Sequence, residues 1–307
     1  MSSIETGVAP DLVIDLIESF RRSKTMFVAV ALGVFDHLAA GPAFTGEIAA
    51  ALTVDSAALE RLLDGCVTLR LLHKEDGRYA NTPIADKYLR RDSPETLSGY
   101  IRYSDRALWS LWGNLEGAVR EGSARWDQTF GSRGALFANF FSTEESKREF
   151  LAGMHGFGVM SSPSVVAAFD LGGTRHLVDL GGATGHLAIA ACEKYPNMRA
   201  TVFDLPEVLN VTSEYVAAAG LADRIDLAGG DFFLDELPGG DLFALGRILH
   251  DWSEERVHLL LAKIYRCLPA GGALIVAEKL LDDDKSGPVS ALMQSLNMLV
   301  CTEGKER

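Results

Sequence analysis

The sequence predicts an α/β protein in which a doubly wound parallel sheet follows a mainly helical, winged-helix-like N-terminal domain. Two observations predict the sheet. From residue 174 onward short apolar strands alternate with helices, and the first of these strands ends in a cluster of glycines. Such alternation gives parallel strands joined by right-handed crossovers, with ligands bound beyond the carboxyl ends of the strands. The third observation, a helix, helix and hairpin before residue 80, predicts the N-terminal domain.

Charge, cysteine usage and the lack of long apolar runs narrow the classes of partner. The net charge is −13, so no broad basic surface is expected and nucleic acid is not a predicted partner. Four cysteines without metal-ligand spacing predict reduced thiols, no structural zinc and no bound metal. Neither a signal peptide nor a membrane span is recognised, so the expected location is cytoplasmic.

The N-terminal module is predicted from apolar periodicity and turn residues. Residues 11–40 read as helix, and the second half is so apolar that a subunit partner is expected to cover it. Helices follow over 45–50 and 55–72, the latter with Asp55 as N-cap, and the Asp76-Gly77 pair predicts a hairpin. Winged-helix modules bind DNA or dimerise enzymes, and the acidic residues here favour dimerisation.

The rest of the chain divides into a helical part and the sheet. Residues 97–170 are mainly helical, and their aromatic and methionine side chains mostly form core, with a minority lining a ligand pocket. The predicted strands are 176–180, 199–203, 225–227, 241–245 and 273–277, and the helices between them are 187–195, 206–219 and 254–267.

The glycine-rich loop after the first strand of the sheet is the first candidate site. Small residues over 181–185 let the backbone turn sharply and approach a ligand at the start of the next helix. The dinucleotide pattern GxGxxG is not met, because Ala183 and His186 occupy its second and third glycine positions. Alone the loop is a weak signal, since glycines often only close such a turn.

Two acidic residues strengthen the prediction of a ligand site at this loop. Asp204 ends the second strand, where a carboxylate can accept both ribose hydroxyls, and Asp231 follows the third strand beside Phe232, which suits an adenine ring. Either aspartate alone could be a turn or cap residue. Both at successive strand ends predict a ligand that contains adenosine.

A histidine marks the catalytic candidate. His250 follows the fourth strand, next to Asp251, and histidine accepts protons well near neutral pH. Glu278 ends the fifth strand, and Glu303 and Glu306 lie later in the sequence. A carboxylate bonded to the imidazole would fix its tautomer and stabilise the charge that it gains.

Seven segments carry a family resemblance: Val178–Gly185, Val202–Pro206, Gly230–Phe233, Leu249–Trp252, Thr302–Arg307, Ala107–Gly122 and Ser295–Val300. The first five occur in the family's order and resemble the S-adenosylmethionine-dependent small-molecule O-methyltransferases of the caffeate and hydroxyindole type. The last two resemble above all the acetylserotonin O-methyltransferases. The resemblance implies a winged-helix-like dimerisation domain over residues 1–100. It further implies a helical connector with part of the substrate pocket over 101–170, and a Rossmann-like methyltransferase domain over 171–307.

The resemblance also implies S-adenosylmethionine as cofactor, S-adenosylhomocysteine as product, no metal, a homodimer and an aromatic hydroxyl acceptor. His250 would be the general base, with Glu278 and Glu306 beside it. The expected cofactor-binding residues are Asp179, Gly181, Gly182, Gly185, Asp204, Leu205, Gly230, Asp231, Phe232, Phe233, Arg247 and Phe141. The expected substrate-binding residues are Asp251, Asn297, Met154, Phe157, Met160, Met293 and Cys301.

The sequence departs from the family pattern at four positions. Ala183 stands at a glycine position, Phe141 and Gly158 replace a cofactor-contacting tyrosine and tryptophan of the hydroxyindole enzymes, and Cys301 replaces a substrate-contacting glutamine. N-acetylserotonin is therefore not implied as the acceptor. Because family members continue for a further helix and two strands, we also expect the sequence to be a fragment, with the fifth strand next to an exposed edge.

Other functions fit parts of the pattern. A nicotinamide-dependent oxidoreductase is disfavoured by the GxGxxG mismatch, and a winged-helix regulator that senses an adenosyl ligand is disfavoured by the acidic charge. A relative that kept the cofactor but changed its chemistry is disfavoured by His250. The expected reaction is direct displacement, in which the protein aligns an acceptor oxygen with the methyl group and removes its proton.

Overall fold

The computed structural model describes residues 10–131, 140–141 and 143–307, which form two compact units. The boundary between the units falls between Asp105 and Arg106. The three-part division at residues 100 and 170 stays a prediction.

The N-terminal unit combines helices with a small antiparallel sheet. Its strands are β1 (Ala43–Phe44), β2 (Leu72–Glu75) and β3 (Arg78–Asn81). The central strand β3 pairs with both β1 and β2, and the short strand β1 has no counterpart among the predicted elements. The helices are Asp11–Leu32, Val34–His37, Thr45–Leu52, Ser56–Thr68, Pro83–Tyr88 and Ser98–Tyr103, with a 3₁₀ turn over Leu38–Ala40.

The hairpin of the wing forms as predicted. Asp76 and Gly77 have φ values of 48° and 76°, the left-handed conformation that a two-residue type I′ turn needs. Asp64 Oδ1 accepts hydrogen bonds from the Tyr79 hydroxyl and the Lys74 ammonium, both at 2.7 Å. These bonds tie the hairpin to the helix before it, so the predicted winged-helix arrangement is confirmed.

The first helix is shorter than predicted. A continuous helix over residues 11–40 is wrong, because Gly33 has a φ of 81° and its N–H bonds back to Ala29 and Val30. This left-handed residue closes the helix, and the chain resumes as a separate short helix.

An apolar face of the first helix is exposed, and it lies in the first half rather than in the second. Ala29 and Val30 in the second half are buried in the core of the unit. In the part of the chain that is described, no single helix is long and apolar enough to cross a membrane, although a bent pair over residues 11–32 and 34–40 meets those criteria together. The exposed face consists of Leu12, Val13, Ile14, Leu16, Ile17 and Phe20, which are 49% to 70% exposed.

The C-terminal unit is built around a five-stranded parallel sheet. Its strands are β4 (His176–Leu180), β5 (Arg199–Asp204), β6 (Ile225–Gly229), β7 (Leu242–Gly246) and β8 (Ala273–Ala277), in the spatial order β6-β5-β4-β7-β8. Each pair of neighbours is parallel. The helices are Trp109–Trp112, Leu115–Glu121, Trp126–Phe130, Glu144–Ala167, His186–Lys194, Leu209–Ala218, Glu254–Cys267 and Val289–Cys301. The boundary between the units falls within a π-helical turn over Ser104–Leu108.

Both faces of the sheet are covered, as a doubly wound fold requires. Alternate residues of β4 face two different apolar clusters, with Leu177 in one and Val178 and Leu180 in the other. The predicted fold class is therefore confirmed. The strand order reverses between β4 and β7, where Leu180 pairs with Leu245, so the loops after these two strands lie side by side. This switch point is where doubly wound sheets bind ligands.

The hairpin turn provides a test of the N-terminal fold. Gly77→Ala should lower the free energy of unfolding by about 1–2 kcal/mol, because alanine strains the left-handed backbone that Gly77 adopts. Gly46→Ala is the matched control, since Gly46 lies in a helix with open space around it and alanine should be neutral or stabilising there. Urea unfolding of both variants measures the difference. Equal midpoints would show that the turn is not constrained in this way.

Candidate active site

The loop after β4 has no room for side chains at its glycines. Gly181 and Gly185 have φ values of 66° and 74°. A Cβ on Gly181 would lie 2.4 Å from Ile248 Cδ1, and one on Gly182 would lie 2.8 Å from the Asp179 carboxyl. The loop is therefore a close-packed cradle rather than a mere strand closure, and it meets the segment after β7 directly.

Ala183 adopts a left-handed backbone conformation, which favours glycine. Its φ is 49°, and two contacts hold its peptide groups in this strained position. Its N–H donates to Asp204 Oδ2 at 2.8 Å, and its carbonyl accepts from the Thr212 hydroxyl at 2.5 Å. The local hydrogen bonds thus offset the strain that alanine brings to the loop.

Asp204 links the end of β5 to the glycine loop. Besides the Ala183 N–H, its carboxylate accepts the Leu205 N–H at Oδ1, at 2.7 Å. Burial raises the pKa of Asp204 to about 6, although both backbone bonds favour the charged form. Because each carboxylate oxygen has a further lone pair, the group can still accept hydroxyls of a ribose.

Asp179 lies beneath the loop rather than on its surface. It is 2% exposed, and its Oδ2 accepts the Ala188 N–H at 3.3 Å. Burial raises the pKa of Asp179 to about 7. The structure therefore shows a group that supports the loop from below, and its expected contact with cofactor stays a prediction.

Asp231 serves as a turn residue. Its Oδ1 accepts the Phe233 N–H at 2.8 Å, while the neighbouring Gly230 N–H donates to the Asp204 carbonyl at 3.0 Å. A Cβ on Gly181 would lie 3.6 Å from the Phe232 ring, so this ring borders the glycine loop. The ends of β4, β5 and β6 thus converge as the sequence predicted, and the proposed adenine contact of Asp231 stays untested.

The helix Glu144–Ala167 forms another wall of the loop. Phe141, just before it, packs in one cluster with Ala183 and Leu205. On the helix itself, His155 Nδ1 lies 2.9 Å from the Thr184 hydroxyl. Phe141 therefore lies beside the loop, and its expected contact with cofactor stays a prediction.

Gly158 has a physical reason to differ from the tryptophan of the hydroxyindole enzymes. A Cβ at Gly158 would lie 2.2 Å from the ring of His186, so the glycine makes room for this imidazole. Ser162 Oγ lies 2.8 Å from His186 Nδ1. Burial lowers the pKa of His186 to about 3, so the ring is neutral at physiological pH. Sequence reasoning noted Gly158 as a departure from the family and His186 as a mismatch to GxGxxG, and it missed that the two residues fit each other.

Arg247 follows β7 in a left-handed conformation, with a φ of 57°. Its guanidinium carbon lies 5.4 Å from the centre of the Phe157 ring, and its Nη2 donates to Ser161 Oγ at 3.3 Å. The contact brings together an expected cofactor residue and an expected substrate residue.

His250 is buried among three carboxylates. Its Nδ1 lies 2.8 Å from Glu306 Oε1 and 3.5 Å from Glu278 Oε2, and its Nε2 lies 3.8 Å from Asp251 Oδ1. Glu278 Oε1 accepts the N–H groups of Ile248 and Leu249, both at 2.8 Å. The structure thus brings the three predicted catalytic residues together and leaves Nε2 as the nitrogen that is not bonded to glutamate.

The carboxylates control the charge of the imidazole. Burial lowers the pKa of His250, but the hydrogen bond to Glu306 and the charges of Asp251, Glu278 and Glu306 outweigh it and raise the pKa to about 9. Burial and the neighbouring carboxylates raise the pKa of Asp251 to about 7. The cluster is therefore arranged to stabilise a positive charge on His250.

The helix Val289–Cys301 carries three expected substrate residues, of which Asn297 and Cys301 are buried and Met293 is exposed. Asn297 Oδ1 accepts the indole N–H of Trp112 at 2.9 Å, and the Cys301 carbonyl accepts that of Trp126 at 2.8 Å. Sequence reasoning expected most aromatic residues of 97–170 to form core and did not single out these tryptophans. The sequence carries no signal for the two bonds, because each spans more than 170 positions.

The three methionines that are expected to line the substrate pocket differ in exposure. Met160 and Met293 are 38% and 46% exposed, while Met154 is half-buried. No contact that the structure shows among the described residues joins them to the histidine cluster, so their role stays a prediction.

Comparison with known proteins shows the family. The sequence-family model for the O-methyltransferase domain matches residues 112–307. The sequence-family model for the O-methyltransferase dimerisation domain matches residues 14–91.

Similar proteins cover the whole chain. Acetylserotonin O-methyltransferase of Gallus gallus is 40% identical over 100% of this chain and 90% of its own length. The 3-hydroxy-5-methyl-1-naphthoate 3-O-methyltransferase of Streptomyces sahachiroi is 38% identical over 96% of this chain and 85% of its own. The crystal structure of human N-acetylserotonin methyltransferase with SAM has a TM-score of 0.93 at 38% identity, and the match covers 100% of this chain and 90% of that one. A probable bifunctional dTTP/UTP pyrophosphatase/methyltransferase protein of Homo sapiens is 38% identical over 97% of this chain, which spans 48% of its length.

Fold and site together define an S-adenosylmethionine-dependent methyltransferase. The chain belongs to the O-methyltransferase family, whose members methylate hydroxyl groups of small-molecule acceptors. The prediction of S-adenosylmethionine as cofactor is thereby confirmed. The family assignment takes the place of the two alternatives, a nicotinamide-dependent oxidoreductase and a winged-helix regulator.

The residues present fit this cofactor. The cradle at Gly181 and Gly182 admits a ligand close to the backbone, and Asp204 offers a carboxylate at the adjacent strand end. The ring of Phe232 borders the same loop. These groups suit the amino-acid, ribose and adenine parts of S-adenosylmethionine respectively.

The cradle can be tested by substitution. Gly181→Ala should weaken S-adenosylmethionine binding about 10-fold or more, because the methyl group overlaps Ile248 and the left-handed backbone becomes strained. Gly239→Ala is the control, since no atom lies within 4 Å of its added Cβ. Calorimetric titration of both variants measures the affinity. Wild-type affinity in the Gly181 variant would contradict the placement of cofactor over this loop.

Proposed function

We propose that the site methylates a phenolic hydroxyl of a small aromatic acceptor, with His250 as general base. The observation that carries the proposal is the buried hydrogen bond between His250 Nδ1 and Glu306 Oε1. It fixes the tautomer in which Nδ1 carries a proton, and so directs the lone pair of Nε2 toward an acceptor hydroxyl.

The basicity of His250 matches a phenol. A conjugate acid with a pKa of about 9 lies close to the pKa of about 10 of a phenolic hydroxyl. Proton transfer between groups of similar pKa needs little driving force, so Nε2 can take the proton as the oxygen attacks. An aliphatic alcohol would be a much poorer match. This comparison supports an aromatic acceptor.

The other residues bind and position. Glu306 and Glu278 hold the imidazole and stabilise the charge that it gains, while Glu278 also accepts two backbone N–H groups of the segment before His250. Asp251 lies beside Nε2, where it can contact the acceptor. When bound, S-adenosylmethionine supplies an activated methyl group on its sulfonium.

We propose no metal at this cluster. Ligand atoms of His250, Glu278 and Glu306 lie within 4.8 Å of one another, a spacing that suits a cation. However, Nδ1 of His250 is engaged with Glu306, and a proton on the ring offsets part of the carboxylate charge. His250 can act as a general base only if it is not bound to a metal, and Glu278 and Glu306 are needed to position it.

We also propose a homodimer, formed through the N-terminal unit. The match to an O-methyltransferase dimerisation domain supports it, and so does the exposed apolar face of the first helix. The cytoplasmic location expected from cysteine usage remains a proposal.

Removal of the imidazole tests the base. His250→Ala should lower turnover by about 10²–10⁴-fold with little change in affinity for S-adenosylmethionine, because the ring acts on the acceptor proton. His258→Ala is the control, since His258 lies exposed on the helix Glu254–Cys267. Single-turnover rates with a phenolic acceptor and calorimetry separate the two effects. Unchanged turnover in folded His250→Ala protein would sink the assignment.

The pH dependence tests the role of the carboxylates. Only neutral imidazole accepts a proton, so kcat/KM should rise with pH and level off near the pKa of His250, about 9. Glu306→Gln removes a charge that raises this pKa, and the rising limb should therefore move to lower pH. A profile that stays in place after this substitution would show that Glu306 does not set the basicity.

A further inference from the structure

We propose that Trp112 is a positioning residue that sets which atoms Asn297 offers to the acceptor. By doing so it favours aromatic acceptors that carry a carboxylate or carbonyl oxygen in addition to the methylated hydroxyl. This inference rests on the proposed function, since it assumes that an aromatic acceptor lies between the helix Val289–Cys301 and His250.

The orientation of the Asn297 amide is fixed by its neighbours. The indole N–H of Trp112 lies 2.9 Å from Oδ1, and an indole nitrogen only donates hydrogen bonds, so the atom facing it must be the oxygen. The Cys301 thiol approaches the same oxygen at 3.9 Å as a second, weak donor. With its oxygen engaged, the amide turns its NH₂ group away from Trp112.

The NH₂ group of Asn297 has no hydrogen-bond acceptor among the described residues, since both bonds of this side chain are made by its oxygen. Asn297 as a whole is only 9% exposed. A donor in such a confined place gains most from a ligand oxygen, because water competes little with it.

The helix that carries Asn297 is joined to the histidine cluster. It contacts the turn Leu249–Asp251, and the segment after it lies so close that a Cβ on Gly304 would be 2.2 Å from the His250 carbonyl. Two residues further on, Glu306 bonds to the imidazole. The amide of Asn297 and the carboxylate of Glu306, which bonds to the base, thus lie on one short piece of chain.

The end of this helix is held independently of the amide. The Trp126 indole donates to the Cys301 carbonyl at 2.8 Å, and the Arg125 N–H donates to the Val300 carbonyl at 2.9 Å. Loss of the Trp112 N–H therefore leaves the helix end anchored and frees only the amide. Trp126 provides a matched control, because it also bonds to this helix through its indole N–H.

The free NH₂ group of Asn297 favours a ligand oxygen that accepts hydrogen bonds. Two N–H donors suit a carbonyl or, more strongly, a carboxylate. The Streptomyces sahachiroi relative is named for an acceptor that carries a hydroxyl and a carboxylate, 3-hydroxy-5-methyl-1-naphthoate. We use this compound as a probe, with 8-methyl-2-naphthol as its partner, since the two share the ring, methyl and hydroxyl and differ only in the carboxylate.

The test is calorimetric binding of both probes to the complex of the protein with S-adenosylhomocysteine. Wild-type protein should bind the naphthoate about 10-fold or more tightly than the naphthol, the range expected of a hydrogen bond to a charged group. Trp112→Phe and Asn297→Asp should each remove most of this preference, the first by freeing the amide and the second by removing the donors. Trp126→Phe should retain it.

Each contrary result has a distinct meaning. Failure of the wild-type protein to bind S-adenosylhomocysteine would count against the proposed function itself. Binding of S-adenosylhomocysteine without a preference for the naphthoate, including failure of both probes to bind, would overturn the present inference alone. An equal loss of preference in Trp112→Phe and Trp126→Phe would show that helix packing, and not the amide orientation, is responsible.

Discussion

The buried hydrogen bond between His250 and Glu306 is the interaction on which the proposed chemistry depends. Through this bond the segment that follows the helix Val289–Cys301 holds the imidazole, and Glu306 is only 2% exposed. Glu278, at the end of β8, fixes the opposite side by accepting two backbone N–H groups before the histidine. The base is therefore positioned by three separate segments, and small movements of any one of them would change its orientation or its pKa.

The switch point of the sheet places this base beside the cofactor loop. β4 and β7 are neighbours, and Ile248 occupies the space that a side chain at Gly181 would need. The same contact explains why a residue without a side chain suits this position of the loop. The proposed sites of cofactor binding and proton transfer thus meet at one packing contact, a glycine against an isoleucine.

Much of the fold follows from local pattern, and parts of the site do not. The strands over 176–180 and 273–277 and the Asp76-Gly77 turn form where apolar runs and turn residues predict them. The break at Gly33 was missed because apolar periodicity continues across it. The fit of His186 against Gly158 and the bond from Trp112 to Asn297 were inaccessible, because each joins residues that meet only after folding.

The pKa of His250 tests the central claim most directly. Nitrogen-15 NMR titration of the histidine side chains, with the His250 signals assigned by difference from His250→Ala, measures it in the folded protein. The account predicts a pKa raised to about 9, with Nδ1 carrying the proton when the ring becomes neutral. A pKa at or below the ordinary histidine value of about 6.5 would contradict it, because the surrounding carboxylates would then not be stabilising the imidazolium.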